Sequence, residues 1–370
     1  MTLPVLRTAL CDLLEIEYPI LQAGMQYVAR GPLAAAVSAA GGLGVIGAAG
    51  MSGRELEAEI RLVRSRTDRP FGVDIILPAG VPEKVTDDLP PDFRYPEALD
   101  DLRWELGIRR GEVPIRPLAS ADLIREQIEV IFDHRVPVLV SGLGNPASLV
   151  PRARELGMKV MALVGTVRAA RRVAAGGADV VVAQGHEAGG HTGQVTTMIL
   201  VPQVVDAVRP TLVAAAGGVA DGRGLLAALM LGASGVWLGT RFIAATESHA
   251  HETWKQRVVD AASEDAQVTK YLTGKPNRSI RNRIVDVLEG SGNPPLPFPQ
   301  QQLLIEDIVL TARDTGHADL MRLASGQTVG LIGEVKPAGE IIREIVAQAE
   351  AVWEERAAPV PRRAAREDRP

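Results

Sequence analysis

A chain of 370 residues with 46% hydrophobic residues, 37 glycines and only 4% aromatics can bury a large core, and it suits one large α/β barrel with appendages better than two ordinary domains. With 40 basic against 45 acidic side chains the formal charge is −5, and no basic stripe with interleaved aromatics is present, which argues against a nucleic-acid partner or an anionic membrane surface. The one cysteine, Cys11, cannot form an internal disulfide, and the first residues carry acidic groups without an apolar run of signal or span length, so an untargeted, cytoplasmic protein is expected.

Tyr18 to Met25 reads as a first strand running into a polar glycine turn. Pro32 to Ala40 reads as a helix with proline in its first turn, stopped by Gly41-Gly42, and Leu43 to Gly47 as the second strand. Ser52 and Glu55 have the spacing of a capping box for a helix that runs to about Arg66. Phe71 to Leu77, FGVDIIL, is the third strand, and its odd member is Asp74. A carboxylate in such a run must be paired or face a polar cavity, and the cavity is the preferred reading.

From Pro78 to Ser120 prolines and charges break the pattern over more residues than a βα loop needs. This insertion, 78–120, overhangs the mouth of a barrel as a lid or partner-binding flap, or is a passive surface excursion. The alternation then resumes with helix Ala121 to Asp133, strand Pro137 to Ser141, helix Ala147 to Leu156, strand Lys159 to Val164, and helix Val167 to Ala175 with Thr166 as cap.

Val180 to Ala183 is a β-branched run of the kind a parallel strand buried on both faces requires, and Gln184 ends it. The loop Gly185 to Gly193 holds four glycines and two histidines. His191, with glycines on both sides, reads either as a residue that exchanges a proton or stabilises developing charge, or as a loop histidine bonded to a carbonyl. His186 is the weaker candidate, and Glu187 reads as a structural carboxylate. No metal is expected, since neither a zincin spacing nor a cysteine cluster occurs.

Met198 to Val208 is helical, Thr211 to Ala216 is a seventh strand ending in Gly217-Gly218, Asp221 caps a helix from Gly222 to Leu231, and Gly235 to Leu238 is an eighth strand ending in Gly239-Thr240-Arg241. Eight strand–helix alternations indicate a (β/α)8 TIM barrel over 1–244. In such barrels the backbone N–H groups after strands seven and eight form a phosphate site, and both places here are glycine turns; neither has the Rossmann spacing. A helical extension near the barrel mouth is expected over 245–336, with helices between Ser248 and about Tyr271 and from Gln300 to Thr315. A last barrel helix over 337–356 and a disordered tail over 357–370 complete the chain.

The segments QGHEAGGHTG, PILQAGM, FGVDI, AAGGVADG and WLGTRF occur in an order that resembles the nitronate monooxygenase family, formerly 2-nitropropane dioxygenases, and the related enoyl-[acyl-carrier-protein] reductase II group. The resemblance spans Pro19 to Ala244. It implies FMN as cofactor, His191 as catalytic residue, and flavin contacts at Met25, Asp74, Gln184, Gly189, Gly190, Gly217, Gly218, Trp237, Leu238, Gly239 and Thr240. Many relatives carry asparagine where this chain has Asp74. TTMILVPQV resembles the reductase group, whereas the insertion and long C-terminal section exceed its compact pattern, and the architecture weighs more heavily. The implied activity is oxidation of small alkyl nitronates with dioxygen. The rival is an NAD(P)H-dependent flavin reductase acting on an enoyl thioester, quinone or acyl-CoA-type acceptor; a reading of another class is a non-redox phosphate-binding barrel. A homodimer is one option for assembly.

Overall fold

The computed structural model describes residues 4–77, 93–115 and 120–357; the expected tail beyond 357 and segments 78–92 and 116–119 of the insertion lie outside the described residues. Eight parallel strands form one sheet in the spatial order 20–22, 235–238, 212–216, 180–184, 159–164, 138–144, 71–77 and 44–47. The sheet closes on itself. Leu21 bridges Leu43 in parallel, Leu43 N–H donates to Ile20 O at 3.0 Å, and Gln22 N–H donates to Leu43 O at 2.9 Å. Beyond that bridge the buried Gln22 amide takes over the ladder, accepting from Val45 N–H at 3.0 Å and donating to Val45 O at 3.1 Å. A closed sheet has no edge, so the fold is a (β/α)8 barrel.

Alternation along each strand divides the core into two shells. Val180 and Val182 point inward with Leu21, Val45, Val140, Met161, Ala214 and Trp237, while Val181 and Ala183 point outward among the apolar faces of the surrounding helices. Both faces are dry, which is why the strand is an unbroken apolar run. The expected caps form: Ser52 and Glu55 make a reciprocal capping box, Thr166 accepts from Ala169 N–H, and Asp221 accepts from Gly224 N–H. The long helix Ala338–Ala357 closes the outer ring against Gly222–Met230 and Gly31–Ala39. Its approach depends on Gly222, where a Cβ would lie 2.3 Å from Ala349 N.

Three differences from the sequence reading stand out. The helix expected over 147–156 is a 3-10 turn, Pro146–Ser148, followed by a short helix, Val150–Glu155, because Asn145 caps the turn and Pro146 and Pro151 withhold N–H donors. The section read as helical up to Tyr271 holds helix Glu252–Asp260 and then a β-hairpin, Ala266–Thr269 with Asn277–Ile280. The described part of the insertion forms helix Ala98–Glu105, which buries Leu99 and Leu102 in the apolar cluster of the C-terminal section. Arg103 locks it there, its Nε and Nη2 donating to the two oxygens of Asp307 at 2.7 and 3.0 Å, with both side chains buried.

Candidate active site

The C-terminal ends of the strands carry glycines that serve two different purposes. Some are there because backbone passes too close for any side chain: a Cβ on Gly185 would lie 2.0 Å from Thr197 Oγ1, and one on Gly189 would lie 2.6 Å from Gly326 N. At others a Cβ would fit without a clash, and one of them, Gly190, borders open space. A Cβ on Gly190 would meet nothing within 4 Å, and on Gly165, Gly218 and Gly239 the nearest atom would be at 3.7, 3.7 and 3.6 Å. Gly217 and Gly218 both have positive φ, +86° and +73°, which turns their peptide groups out of strand geometry. The fifth to eighth strands thus end in a rim of bare backbone.

The other residues singled out on sequence take distinct positions on this rim. Met25 Sδ reaches to 3.6 Å from the Cβ position of Gly239, so the first-strand loop and the eighth-strand turn meet there. Gln184 Nε2 donates to His191 O at 2.8 Å and ties the loop back to its own strand. Trp237 faces the barrel interior, but Leu238 packs outward among the helices, leaving only its backbone toward the mouth. Thr240 is buried, and its Oγ1 accepts from Gly326 N–H at 2.8 Å. Gly189 and Gly217 face protein at Cα, so only their peptide groups are free to meet a ligand.

The two histidines separate clearly. His186 Nδ1 lies 2.7 Å from Gly193 O, and Arg278 Nη2 donates to His186 O at 3.1 Å, which is the behaviour of a loop-building histidine. Glu187 accepts from Thr197 N–H and Oγ1, both at 2.9 Å, and anchors the start of helix Thr197–Val208. His191 is exposed on the mouth side, and its Nε2 lies 2.9 Å from Thr273 Oγ1. Although water reaches it, desolvation by the surrounding protein, reinforced by the positive charges of Lys275 and Arg322, lowers its pKa to about 4. The ring is therefore a neutral imidazole at neutral pH.

His191 owes its position to partners distant in sequence. Gly190–His191 is a two-residue strand paired antiparallel with Asn277–Arg278 of the hairpin, Asn277 opposite His191. Phe298 meets the imidazole edge-on at 6.3 Å between centroids, and Lys275 Nζ stands 4.4 Å above the Phe298 ring. Arg322 is paired with Glu306 at 2.6 Å. Thr273, Lys275, Phe298 and Arg322 escaped the sequence reading, for none has a motif and all lie in the section read as an appendage.

Asp74 sits on the inward face of the third strand, since Val73 and Ile75 on either side belong to the outer shell. Its carboxyl is boxed between Gly24 and Gly142, whose Cβ positions would approach its oxygens to 2.7 and 2.6 Å, and Oδ1 is buried without a hydrogen-bond partner. Burial pushes its pKa well above the usual carboxylate value, against a smaller opposing pull from the Gly142 N–H. The sequence reading preferred a polar cavity to an ion pair. Among the described residues Asp74 forms no ion pair, and its carboxyl is packed on the inward face between the two glycines.

The nitronate monooxygenase family model matches residues 7–348 of the chain. The chain belongs to the nitronate monooxygenase family. A protein of Staphylococcus saprophyticus described as "Probable nitronate monooxygenase" is 34% identical over 364 residues, covering 94% of this chain and 99% of that protein. Among solved structures, nitroalkane oxidase from Streptomyces ansochromogenes superposes with a TM-score of 0.81 at 31% identity, covering 95% of this chain and 100% of the other. FabK from Thermotoga maritima superposes with a TM-score of 0.77 at 36% identity, covering 94% and 98%. These neighbours are TIM-barrel flavoenzymes, and the chain is a flavin-dependent oxidoreductase. Among the described residues no helix is long and apolar enough to cross a membrane, and no group of three or more His, Cys, Asp or Glu could hold a metal ion.

Proposed function

We propose that this family member binds FMN and oxidises small alkyl nitronates with dioxygen. The observation that carries this reading is the position of His191, exposed after the sixth strand, held by Thr273 and flanked by Phe298 with Lys275 above that ring; the charges of Lys275 and Arg322 help to keep it neutral. Two cations that disfavour imidazolium favour a small anion in the same space, and a nitronate is such an anion. The surroundings also fit a flavin: open backbone at Gly190 admits a flat group closely, and Asp74 Oδ1 is a buried polar atom in need of a partner.

In this reading the peptide groups of Gly218 and Gly239-Thr240 hold the phosphate, and Met25, Asp74, Gln184, Gly189, Gly190, Gly217, Trp237 and Leu238 border the cofactor, Leu238 through its backbone alone. Bound FMN would supply the redox chemistry that nitronate oxidation by dioxygen requires. His191 orients the nitronate oxygens through Nδ1–H, in the tautomer whose Nε2 accepts from the Thr273 hydroxyl. It is too weakly basic in the free site to arrive as a proton donor, but the anion's charge raises its pKa once the two are in contact. Thr273 fixes the ring through Nε2.

FabK, an enoyl-[acyl-carrier-protein] reductase II, supports a second reading, since its likeness extends over nearly the whole of both chains. There NAD(P)H reduces the flavin and an enoyl thioester or quinone is the acceptor. One experiment separates the two: the purified protein is mixed anaerobically with an alkyl nitronate and, separately, with NADH, and the visible flavin absorbance is followed. Rapid bleaching by the nitronate alone supports oxidation; bleaching by NADH alone overturns it for the reductase. His191→Ala is expected to cut nitronate turnover to a small residual rate while retaining flavin, and unchanged turnover refutes a catalytic histidine.

A further inference from the structure

We propose that Asp74 serves the flavin site as an uncharged carboxylic acid, offering one O–H donor and one C=O acceptor to the bound flavin, so that flavin is released as this acid ionises. The inference rests on the FMN reading and concerns a side chain that reading leaves unexplained. Asp74 lies eight per cent exposed on the inward face of the third strand, midway along it, and its Oδ1 has no hydrogen-bond partner. The two glycines facing it leave no room for it to swing aside: a Cβ on Gly24 would lie 2.7 Å from Oδ2, and one on Gly142 would lie 2.6 Å from Oδ1. Against it lie the turn at Gly24, the second strand at Gly47, and the fourth strand at Val140 and Gly142. Among the described residues none of these elements sets a charged side chain against it.

A carboxylate so placed has neither a counter-ion nor enough donors, and burying it in that form costs several kcal/mol by general experience. The neutral acid avoids that cost. It also presents a donor and an acceptor side by side, matching the mixed donors and acceptors on a flavin's polar edge, whereas a carboxylate presents acceptors only. An asparagine has the same shape and the same donor–acceptor pair, but it cannot ionise. Asp74 therefore adds a proton-linked control that an amide lacks.

The test uses the flavin-loaded protein and Asp74→Asn. Retention of FMN is measured by recovery of free-flavin fluorescence between pH 6 and 9, and the infrared carbonyl stretch of an undissociated carboxylic acid is recorded for both proteins. The expected result is a carboxylic-acid band in the wild type that is lost in D74N. Above the ionisation of the acid, the wild type should lose FMN affinity about tenfold per pH unit while D74N stays flat. Coincident pH profiles in two proteins that both bind FMN, or the absence of the band, overturn this inference and leave the FMN reading standing. Failure of both proteins to take up FMN at any pH overturns the FMN reading, and this inference with it.

Discussion

Thr273→Val tests whether the C-terminal section contributes to catalysis through His191. The substitution keeps the shape of a buried side chain and removes one oxygen, the Oγ1 that lies 2.9 Å from His191 Nε2. Lys275 O, 3.3 Å from the same hydroxyl, is a longer, alternative acceptor within the turn. Because His191 faces the open mouth, water can replace the lost partner, so the net cost is that of one ordinary hydrogen bond, about 0.5–1.5 kcal/mol. Expressed as loss of correctly held imidazole, this is a fall in kcat/KM of roughly two- to twelvefold. Steady-state oxidation of an alkyl nitronate measures it, with flavin content and melting temperature as controls expected to stay near wild type. The same change in a His191→Ala background should have no further effect on the residual rate, because the two groups act as one unit. An unchanged kcat/KM in the single variant, or an equal fall in both backgrounds, refutes the claim that Thr273 acts through the imidazole.

The lowered pKa of His191 places the acid limb that this group contributes to kcat/KM near pH 4 rather than 6.5, and Lys275→Gln should move that limb upward by removing one of the charges that oppose protonation; a pH–rate profile with the limb unmoved counts against the assignment. Asp74→Asn should raise the melting temperature, with the gap widening as pH rises above about 3.9. The sign follows from its raised native pKa: the unfolded chain releases the proton first, so burying the acid destabilises the fold increasingly until the native pKa is reached. A gap that narrows with rising pH contradicts the neutral-acid assignment. Asp307→Ala strips a buried, bidentate partner from Arg103 and should cost about 3–5 kcal/mol in denaturant unfolding; a change below about 1 kcal/mol would show that the insertion helix is held by its apolar contacts alone.

Much of the barrel can be read directly from local chemistry. The strands Phe71–Leu77, Lys159–Val164 and Gly235–Leu238 have the boundaries that their apolar runs and glycine turns imply, and the caps at Ser52, Thr166 and Asp221 form with the expected donors. These features depend on residues within a few positions of one another. The hairpin Ala266–Thr269 with Asn277–Ile280 was missed because its strands are four residues long and mixed in character, and because one of them pairs with Gly190–His191 more than eighty positions upstream. Glycine identity also says little alone: Gly189 and Gly190 are adjacent and identical, yet one is pressed on Ser325-Gly326 and the other borders open space.

The sequence by itself therefore determined the eight-fold alternation, the family, and the glycine-flanked histidine at the end of the sixth strand. Only the tertiary structure decided that His191 is held neutral, that Thr273, Lys275 and Arg322 act on it, and that Asp74 is boxed in without a counter-charge. The physical reason is that caps, turns and strand patterning are set by neighbours along the chain, whereas desolvation and charge act through space on groups that folding alone brings together.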